Sequence, residues 1–190
     1  MELMKDRIKS EGKVLPGNVL KVGSFLNQQI DSNLLSEMGK EFARLYKDSG
    51  VNKILTIETS GIAIAASVAM AMNVPMVFAK KHQSSNVDGD VYQAECYSYT
   101  HNSNYTMVVS KDYLNANDHI LIIDDFLALG NALNSLISIV NESGASLVGC
   151  GIAIEKGFQG GGDLLREQGI RVESLAIVDS MSDTDLNFRD

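Results

Sequence analysis

The sequence predicts an α/β protein with one open, mainly parallel sheet flanked by helices, and three observations support this fold class. Short apolar runs such as KILTI (53–57) and HILIID (119–124) have the length and composition of buried strands. Strand-like and helix-like runs alternate along the chain, which is typical of parallel sheets. The chain has 190 residues, 45% of them apolar and two of them proline, which is enough for one compact domain.

Two helices and two strands are predicted in the first half of the chain. The apolar side chains of residues 34–46 fall on one helical face, and Gly50 stands where a helix usually ends. The strand at 53–57 is followed by an alanine-rich helix, which ends before Pro75 and a second strand at 76–79. This strand–helix–strand unit is the first part of the predicted sheet.

Residues 80–112, which we name the flap, interrupt this alternation. The segment KKHQSSNVDGD (80–90) is polar and contains glycine, so a mobile loop is predicted there. Two β-rich runs follow, VYQAECYSY (91–99) and YTMVVSK (105–111), with turn-forming residues between them. We expect these runs to pair as a β-hairpin.

The parallel pattern resumes after the flap. The predicted elements, in order, are a strand at 119–124, a helix at 131–142, a strand at 146–154, a short helix at 164–168 and a strand at 171–178. No internal repeat and no linker divides the chain, so a single domain over residues 1–190 is expected.

Charge and composition exclude several classes of function. With 24 acidic and 16 basic residues the net charge is −8, which disfavours a general nucleic-acid binder. The first residues lack the continuous apolar core of a signal peptide, and polar residues interrupt the apolar stretch at 61–79, so no membrane span is expected. Cys96 and Cys150 form no CxxC motif, and we predict reduced thiols in a cytoplasmic protein.

Three polar loops follow predicted strands, at residues 58–61, 124–131 and 155–162. Ligands of open parallel sheets bind beyond the carboxyl ends of the strands, where such loops lie. The middle loop is the most informative. Its small residues let the backbone approach a ligand, and the helix that begins there directs free N–H groups outwards, which suits a phosphate.

Two adjacent carboxylates, Asp124 and Asp125, begin this middle loop. Ionised carboxylates only accept hydrogen bonds, so they suit the hydroxyls of a sugar or the water shell of Mg²⁺. Receiver domains also carry an acid pair after a strand, but near their N-terminus, and a Rossmann site would need GxGxxG after the first strand. A phosphate site beside a hydroxyl-binding acid pair indicates a ribose 5-phosphate ligand.

The first loop and the flap lysines each allow two interpretations. Thr59 and Ser60 are good helix N-caps, and capping uses the same geometry as pyrophosphate binding, so both are expected of this loop. Lys80 and Lys81 could be solvated loop residues, or they could contact a diphosphate from their position at a strand end. We favour the diphosphate contact.

The segment ILIIDDFLALGN (120–131) resembles the phosphoribosyl diphosphate (PRPP) motif of type I phosphoribosyltransferases. Most members of this family carry threonine before the glycine and a second small residue after it, where this chain has Leu129 and Asn131. The Ala-Leu-Gly-Asn variant is similar to that of the bacterial xanthine-specific branch. The similarity extends to KVGSFLNQQID (21–31), FAKKHQ (78–83) and IAIEKGFQGGG (152–162).

The resemblance implies the type I phosphoribosyltransferase fold, with a flexible hairpin flap and an N-terminal hood over the base site, about residues 1–33. It also implies a purine-salvage enzyme that converts xanthine and PRPP to xanthosine 5′-monophosphate (XMP) and diphosphate. Asp124 and Asp125 would be the catalytic residues. The 5-phosphate would be bound by Ala128, Leu129, Gly130, Asn131 and Ala132, and the diphosphate by Thr59, Ser60, Gly61, Lys80 and Lys81.

Base recognition is implied for three residues. Leu20 and Asn27 in the hood match base-contacting positions of the family, and Lys156 matches the lysine that meets an exocyclic oxygen of the purine. Mg²⁺ would be bound mainly through PRPP, with no direct protein ligand. The resemblance further implies a homodimer, in which Lys80 or Lys81 reaches the site of the partner subunit.

Two alternatives to this enzyme stay open. A PRPP-sensing purine regulator of the same fold would bind without catalysis, although only about 50 residues precede the first core strand and no recognition-helix pattern is visible. A hypoxanthine/guanine phosphoribosyltransferase would share the fold and the PRPP site and would differ in the base it accepts. PRPP-dependent consumption of a free purine marks an enzyme, and competition between bases identifies its substrate.

Overall fold

The computed structural model describes residues 1–81, 89–98, 103–182 and 185–189. Strands and helices alternate in this part of the chain largely as predicted. The helices are α1 (Glu2–Glu11), α2 (Ser32–Leu45), α3 (Gly61–Met72), α4 (Asn131–Glu142) and α5 (Gly161–Glu167). The strands are β1 (Lys13–Leu15), β2 (Val19–Lys21), β3 (Lys53–Ile57), β4 (Met76–Ala79), β5 (Val91–Ser98), β6 (Ser103–Ser110), β7 (His119–Leu127), β8 (Ser146–Lys156), β9 (Val172–Met181) and β10 (Leu186–Phe188).

The central sheet has six strands in the order β10-β9-β8-β7-β3-β4. All neighbouring pairs are parallel except β9 and β10, which are antiparallel. The predicted open, mainly parallel sheet is therefore confirmed. β7 lies between β3 and β8, so the carboxyl ends of these three strands, and the loops that follow them, meet at one end of the sheet.

Helices cover both faces of the sheet. α2 and α3 lie on one face, and α4 and α5 lie on the other, each pair burying one apolar cluster. α2 begins after Asp31, whose carboxylate accepts hydrogen bonds from the N–H groups of Asn33 and Leu34 at 3.0 and 3.1 Å. α2 and α3 approach closely at Gly39, where a Cβ atom would overlap the hydroxyl of Ser67. Among the described residues, no helix has the length and apolar content needed to span a membrane.

The N-terminal residues form elements that the sequence patterns did not predict. α1 is followed by the β1–β2 hairpin and by a π-helical turn over Gly23–Asn27. Ile8, Leu20 and Phe25 are buried in the apolar cluster on the α2 side of the sheet. The segment expected to form the hood therefore has ordered structure, and its position over a purine base stays a prediction.

The flap contains the predicted hairpin, because β5 and β6 pair antiparallel along their whole length. Reciprocal backbone hydrogen bonds of 3.0 and 2.9 Å between Lys80 and Val108 join the hairpin to the end of β4. Most of the loop predicted to be mobile (80–90) and the turn at 99–102 lie outside the described residues.

The structure corrects four boundaries in the second half of the chain. β8 ends at Lys156 and not at residue 154. β7 continues through the acid pair to Leu127 and does not end at Asp124. α5 begins at Gly161 and not at Leu164, because packing of its glycines against neighbouring groups outweighs their low helix propensity. β9 extends to Met181 and pairs with β10, an edge strand that no sequence pattern predicted.

Candidate active site

One cleft opens at the carboxyl end of the sheet, where the loops after β3 and β7 meet, and its volume is about 280 Å³. Its lining residues are 57–61, 124–133 and the flap residues Lys81, Cys96, Tyr97 and Tyr105. The structure therefore brings together the acid pair, the turn predicted for the 5-phosphate, the loop predicted for the diphosphate and one of the two flap lysines.

Asp124 is the more buried member of the acid pair, with 7% of its surface exposed, and Asp125 is half-buried. The N–H of Asp125 donates to Oδ1 of Asp124 over 2.9 Å. Burial raises the pKa of Asp124 well above its usual value, the charge of Asp125 raises it further, and the charge of Lys81 opposes the shift. The acid pair therefore gains stability from any ligand that donates hydrogen bonds or brings positive charge.

The turn after β7 is shaped for an anion. Gly130 has a φ of +87°, a left-handed conformation that favours glycine, and it is the N-cap residue of α4. The first N–H groups of an α-helix have no intrahelical partners, and Gly130 has no side chain that could cap those of α4. Ala132 and Leu133 carry two of these groups and line the cleft. The free donors and the helix dipole together suit the predicted phosphate.

The two residues that depart from the family motif have separate surroundings in the structure. Leu129 is 42% exposed at the cleft. Asn131 donates a hydrogen bond from Nδ2 to the carbonyl oxygen of Tyr97 in the flap over 3.3 Å. The side chain of Asn131 therefore links the turn after β7, which is predicted to bind the 5-phosphate, to the flap.

The loop after β3 forms the opposite wall of the cleft. Glu58 accepts a hydrogen bond from the N–H of Lys81 over 2.6 Å, and the peptide bond between Glu58 and Thr59 is cis. Ser60 is the N-cap residue of α3 but makes no capping hydrogen bond, which corrects the capping role expected of this loop. The reason is its helical backbone, with φ −68° and ψ −31°, since capping side chains act from an extended conformation. The first amides of α3 therefore have no side-chain cap.

Gly61 allows the two walls to approach each other. A Cβ atom at this position would overlap the hydroxyl of Thr56 and lie 3.1 Å from Oδ1 of Asp124. Thr56 is fully buried, and its hydroxyl has no hydrogen-bond partner among the described residues. Because a larger residue would push the loop outwards, glycine is needed here to bring the loop after β3 beside the acid pair.

The two flap lysines differ in position. Lys81 lines the cleft, and its Nζ lies 5.7 Å from the centroid of the Tyr105 ring. Lys80 is not among the residues that line this cleft, and its backbone bridges to Val108. The described part of the chain therefore places Lys81, and not Lys80, at its own acid pair.

The three residues predicted for the base do not line this cleft. Leu20 is 6% exposed and packs in the core, whereas Asn27 is exposed. Lys156 lies at the end of β8, where Nζ donates to the carbonyl oxygen of Asn18 over 2.8 Å and lies 5.7 Å from the centroid of the Phe126 ring. Burial lowers the pKa of Lys156. Phe126, which lines the cleft, therefore connects the acid pair with Lys156.

Sequence reasoning missed the aromatic and thiol side chains of the cleft. Cys96 and Tyr105 face each other across β5 and β6, and burial, followed by the nearby Cys96, raises the pKa of the Tyr105 hydroxyl. Alternation along the hairpin could have shown that such residues share a face, but not that this face turns towards the acid pair. For Phe126, the available signal was the apolar pair that directly follows the two aspartates.

A mainly parallel sheet whose strand ends bring an acid pair beside two helix N-termini is an arrangement with which α/β proteins bind phosphorylated ligands. The chain belongs to the phosphoribosyltransferase family, since the family model described as phosphoribosyl transferase domain matches residues 28–163. It is similar to the xanthine phosphoribosyltransferase of Lachnoclostridium phytofermentans, with 57% identity over 97% of this chain and 95% of the relative. The xanthine phosphoribosyltransferase of Alkaliphilus metalliredigens is 56% identical over 100% of this chain and 94% of the relative.

The fold is also similar to that of solved structures. The adenine phosphoribosyl transferase of Trypanosoma brucei, solved in complex with AMP, pyrophosphate and ribose-5-phosphate, gives a TM-score of 0.78 at 21% identity, covering 97% of this chain and 83% of that chain. The predicted type I phosphoribosyltransferase fold and the predicted resemblance to bacterial xanthine phosphoribosyltransferases are therefore confirmed.

Proposed function

We propose that the protein is a xanthine phosphoribosyltransferase, which transfers the 5-phosphoribosyl group of PRPP to xanthine and releases diphosphate. The observation that carries this proposal is the cleft in which an acid pair, a phosphate turn and a second helix N-terminus without a side-chain cap converge. The two relatives described above, which are more than 50% identical to this chain, are both named xanthine phosphoribosyltransferase. Incubation with PRPP, Mg²⁺ and xanthine should form XMP, which is measured directly.

Competition between bases tests the substrate. With xanthine, guanine and hypoxanthine at equal concentrations, we expect xanthine to be consumed first. Preferential formation of IMP or GMP would identify a hypoxanthine/guanine enzyme. PRPP binding without consumption of any base would identify the sensing regulator, which the names of the relatives do not favour.

The reaction assigns a task to each wall of the cleft. The backbone of Ala128, Leu129, Gly130, Asn131 and Ala132 binds the 5-phosphate, and Thr59, Ser60 and Gly61 bind the diphosphate together with a flap lysine. As purine N9 attacks the anomeric carbon, the bond to diphosphate breaks and positive charge develops on the ribose. Asp124 and Asp125 stabilise that charge electrostatically, because their carboxylates are fixed beside it before the reaction begins.

Mg²⁺ is expected to arrive with PRPP. Among the described residues, no three His, Cys, Asp or Glu side chains converge as a metal site, whereas the acid pair offers oxygen atoms suited to the water shell of an ion held by the substrate. When bound, the ion neutralises charge on the diphosphate leaving group. Asp124 and Asp125 then orient the ribose hydroxyls and the waters around them.

The flap excludes water from the reaction. Cys96, Tyr97 and Tyr105 of the hairpin line the cleft, and Asn131 bonds the phosphate turn to the hairpin. An oxocarbenium-like ribose would react with water in an open site, so a closed flap favours transfer to the purine.

We place the enzyme in the cytoplasm. Cys96 and Cys150 are both free thiols, as expected of a protein in a reducing compartment. The negative net charge also agrees with a function that does not involve nucleic acid.

Replacing Lys156 or Asn27 by alanine should impair the use of xanthine and spare PRPP. Xanthine carries exocyclic oxygens, and the loss of a charged hydrogen bond to one of them costs about 1.5–3 kcal/mol, or roughly a tenfold to hundredfold rise in the KM for xanthine. The KM for PRPP should stay near that of the wild type. Lys40→Ala, which removes an exposed lysine of α2, is the matched control. Equal losses for both substrates would mean that these residues support the fold and do not contact the purine.

We further propose a homodimer that forms through α3 and β4. Met70 is 75% exposed and Phe78 is 40% exposed. The apolar groove beside Met70 is lined by Ala66, Ala69, Val74 and Met76. The small side chains of α3 allow a second helix to approach closely, although alanine also favours helices in isolation.

Mixing two inactive variants should restore activity if a flap lysine serves the partner subunit. Because Lys81 lines the cleft of its own chain, Lys80→Ala is the variant to combine with Asp124→Asn, Asp125→Asn. In a mixed dimer, one site then lacks both groups and the other site is whole. Random subunit exchange should restore about a quarter of the wild-type activity, because half the dimers are mixed and half of their sites are whole.

Lys81→Ala is the matched control for this experiment. Its defect lies in the same cleft as the intact acid pair of its own chain, so mixing should give no recovery. Sedimentation of the wild type as a monomer at assay concentration, or no recovery with Lys80→Ala despite proven exchange, would contradict the shared site.

A further inference from the structure

The three consecutive glycines at 160–162 have no assigned role in the reaction, yet they lie directly behind the 5-phosphate turn. β7 and β8 are neighbours, with Leu127 opposite Glu155, so the loops that follow the two strands lie side by side. The N–H of Gly161 donates to the carbonyl oxygen of Ala128 over 3.1 Å. The two loops are therefore in contact through their backbones.

Gly161 has no room for a side chain. A Cβ atom there would overlap the carbonyl oxygen of Ala128 and lie 2.6 Å from the carbonyl carbon of Leu129 and 2.8 Å from the N atom of Gly130. All three are backbone atoms of the phosphate turn, which cannot move aside as a flexible side chain can. The φ of Gly161 is not in the left-handed region, so close packing, and not backbone conformation, requires glycine here.

Gly162, the next residue, packs against the side chain of Glu155. A Cβ atom at Gly162 would overlap Oε1 of Glu155. Glu155 is fully buried, accepts two hydrogen bonds from Arg166 at 2.8 and 2.6 Å, and accepts a third from Ser174. This bidentate pair joins the last turn of α5 to Glu155 near the end of β8, one residue before Lys156.

We propose that Gly161 is a positioning residue for the 5-phosphate turn, held in place by the Glu155–Arg166 pair. Its backbone supports the turn at Ala128–Gly130 from behind, and so it fixes where the free N–H groups of α4 point. This inference rests on the proposed phosphoribosyl transfer and adds a group that does not touch the substrate. A Cβ atom at Gly161 must push the turn outwards by a large part of an ångström, and a misplacement on the order of 1 Å can cost about a hundredfold in rate.

The test compares Gly161→Ala with Gly149→Ala. Gly149 lies near the opposite end of β8, where a Cβ atom would be 2.8 Å from the Tyr46 ring and 2.9 Å from the carbonyl oxygen of Arg171. Both variants should lose thermal stability. Gly161→Ala should also raise the KM for PRPP and the inhibition constant of ribose 5-phosphate by about tenfold or more, while the KM for xanthine stays near that of the wild type. Gly149→Ala should leave all three constants near those of the wild type.

A second variant keeps the proposal testable if Gly161→Ala does not fold. Arg166→Lys retains the charge and loses the bidentate geometry, and it should raise the KM for PRPP by about threefold or more. A KM for PRPP close to that of the wild type in folded Gly161→Ala would overturn the proposal. Where that variant does not fold, an unchanged KM in Arg166→Lys would overturn it. Failure of the wild type to form XMP would refute the proposed function instead, and ribose 5-phosphate binding would still report on the turn.

Discussion

Asp124→Asn and Asp125→Asn should each lower turnover by about a hundredfold or more, because each removes a fixed negative charge beside the ribose in the transition state. The unliganded variants should be as stable as the wild type or more stable. Asp124 is buried beside a second carboxylate, so its charge opposes folding. Asparagine keeps an oxygen for the hydrogen bond from the N–H of Asp125.

The stability of Asp124→Asn should depend on pH in a defined direction. Burial and the charge of Asp125 raise the pKa of Asp124 in the folded protein above its unfolded value of about 3.9. The folded protein therefore binds this proton more tightly, and the stability of the wild type falls as pH rises from the unfolded pKa through the folded pKa. The gain in melting temperature of the variant should be present at neutral pH and should vanish below about pH 4.

Asp118→Asn is the matched control for the acid pair. Asp118 is also buried and lies just before β7, at the opposite end of this strand, where it binds Lys53 over 2.8 Å and accepts a hydrogen bond from the N–H of Asn115. Its replacement should lower the melting temperature and leave turnover unchanged. Near-normal turnover of the Asp124 or Asp125 variant would remove that carboxylate from the mechanism. A melting temperature below that of the wild type at neutral pH would contradict the inferred repulsion between the two carboxylates.

Gly130→Val should abolish useful PRPP binding, with a loss in affinity of about a hundredfold or more. The turn has a φ of +87° at this position, and a β-branched residue is strained in that conformation. The strain is relieved by moving the turn, which displaces the N–H groups that we propose bind the 5-phosphate. The KM for xanthine should change far less, because Lys156 lies on β8.

Gly169→Val is the control that distinguishes the effect of backbone strain from the loss of PRPP binding in Gly130→Val. Gly169 has a φ of +80°, and apart from its own atoms and its two chain neighbours no atom of the described residues lies within 4 Å of the position of its missing Cβ. Both valine variants should lose about 1–3 kcal/mol of stability, which is the usual cost of a strained backbone. Only Gly130→Val should lose PRPP affinity, measured by calorimetry. Normal PRPP binding by that variant would mean that the 5-phosphate binds elsewhere.

Local patterns were enough to predict the strands of the parallel sheet and the turn at its centre. β3 is an apolar run, and β7 begins with one (119–123). The acid pair follows the apolar run of β7 directly, and Gly130 comes three residues after that strand, so the residues of this wall are close in sequence as well as in space. The same locality explains why the hairpin of the flap was predicted.

Non-local packing determined what the sequence did not predict. α1 has few apolar residues, and its place is set by burying Met4 and Ile8 against the sheet. The placement of Phe126 beside Lys156 depends on the pairing of β7 with β8, and that of Tyr105 in the cleft depends on how the flap docks. Short elements such as β1, β2 and β10 become strands only through their partners.

The position of β7 between β3 and β8 determines when the chain can fold during its synthesis. β3 and β4 leave the ribosome well before β7, because the whole flap lies between β4 and β7 along the chain. Until β7 emerges, one edge of β3 is unpaired and its apolar side chains are uncovered, a state that is prone to aggregate and that chaperones protect. The strand that carries the acid pair is thus also the strand whose arrival lets the two halves of the sheet join.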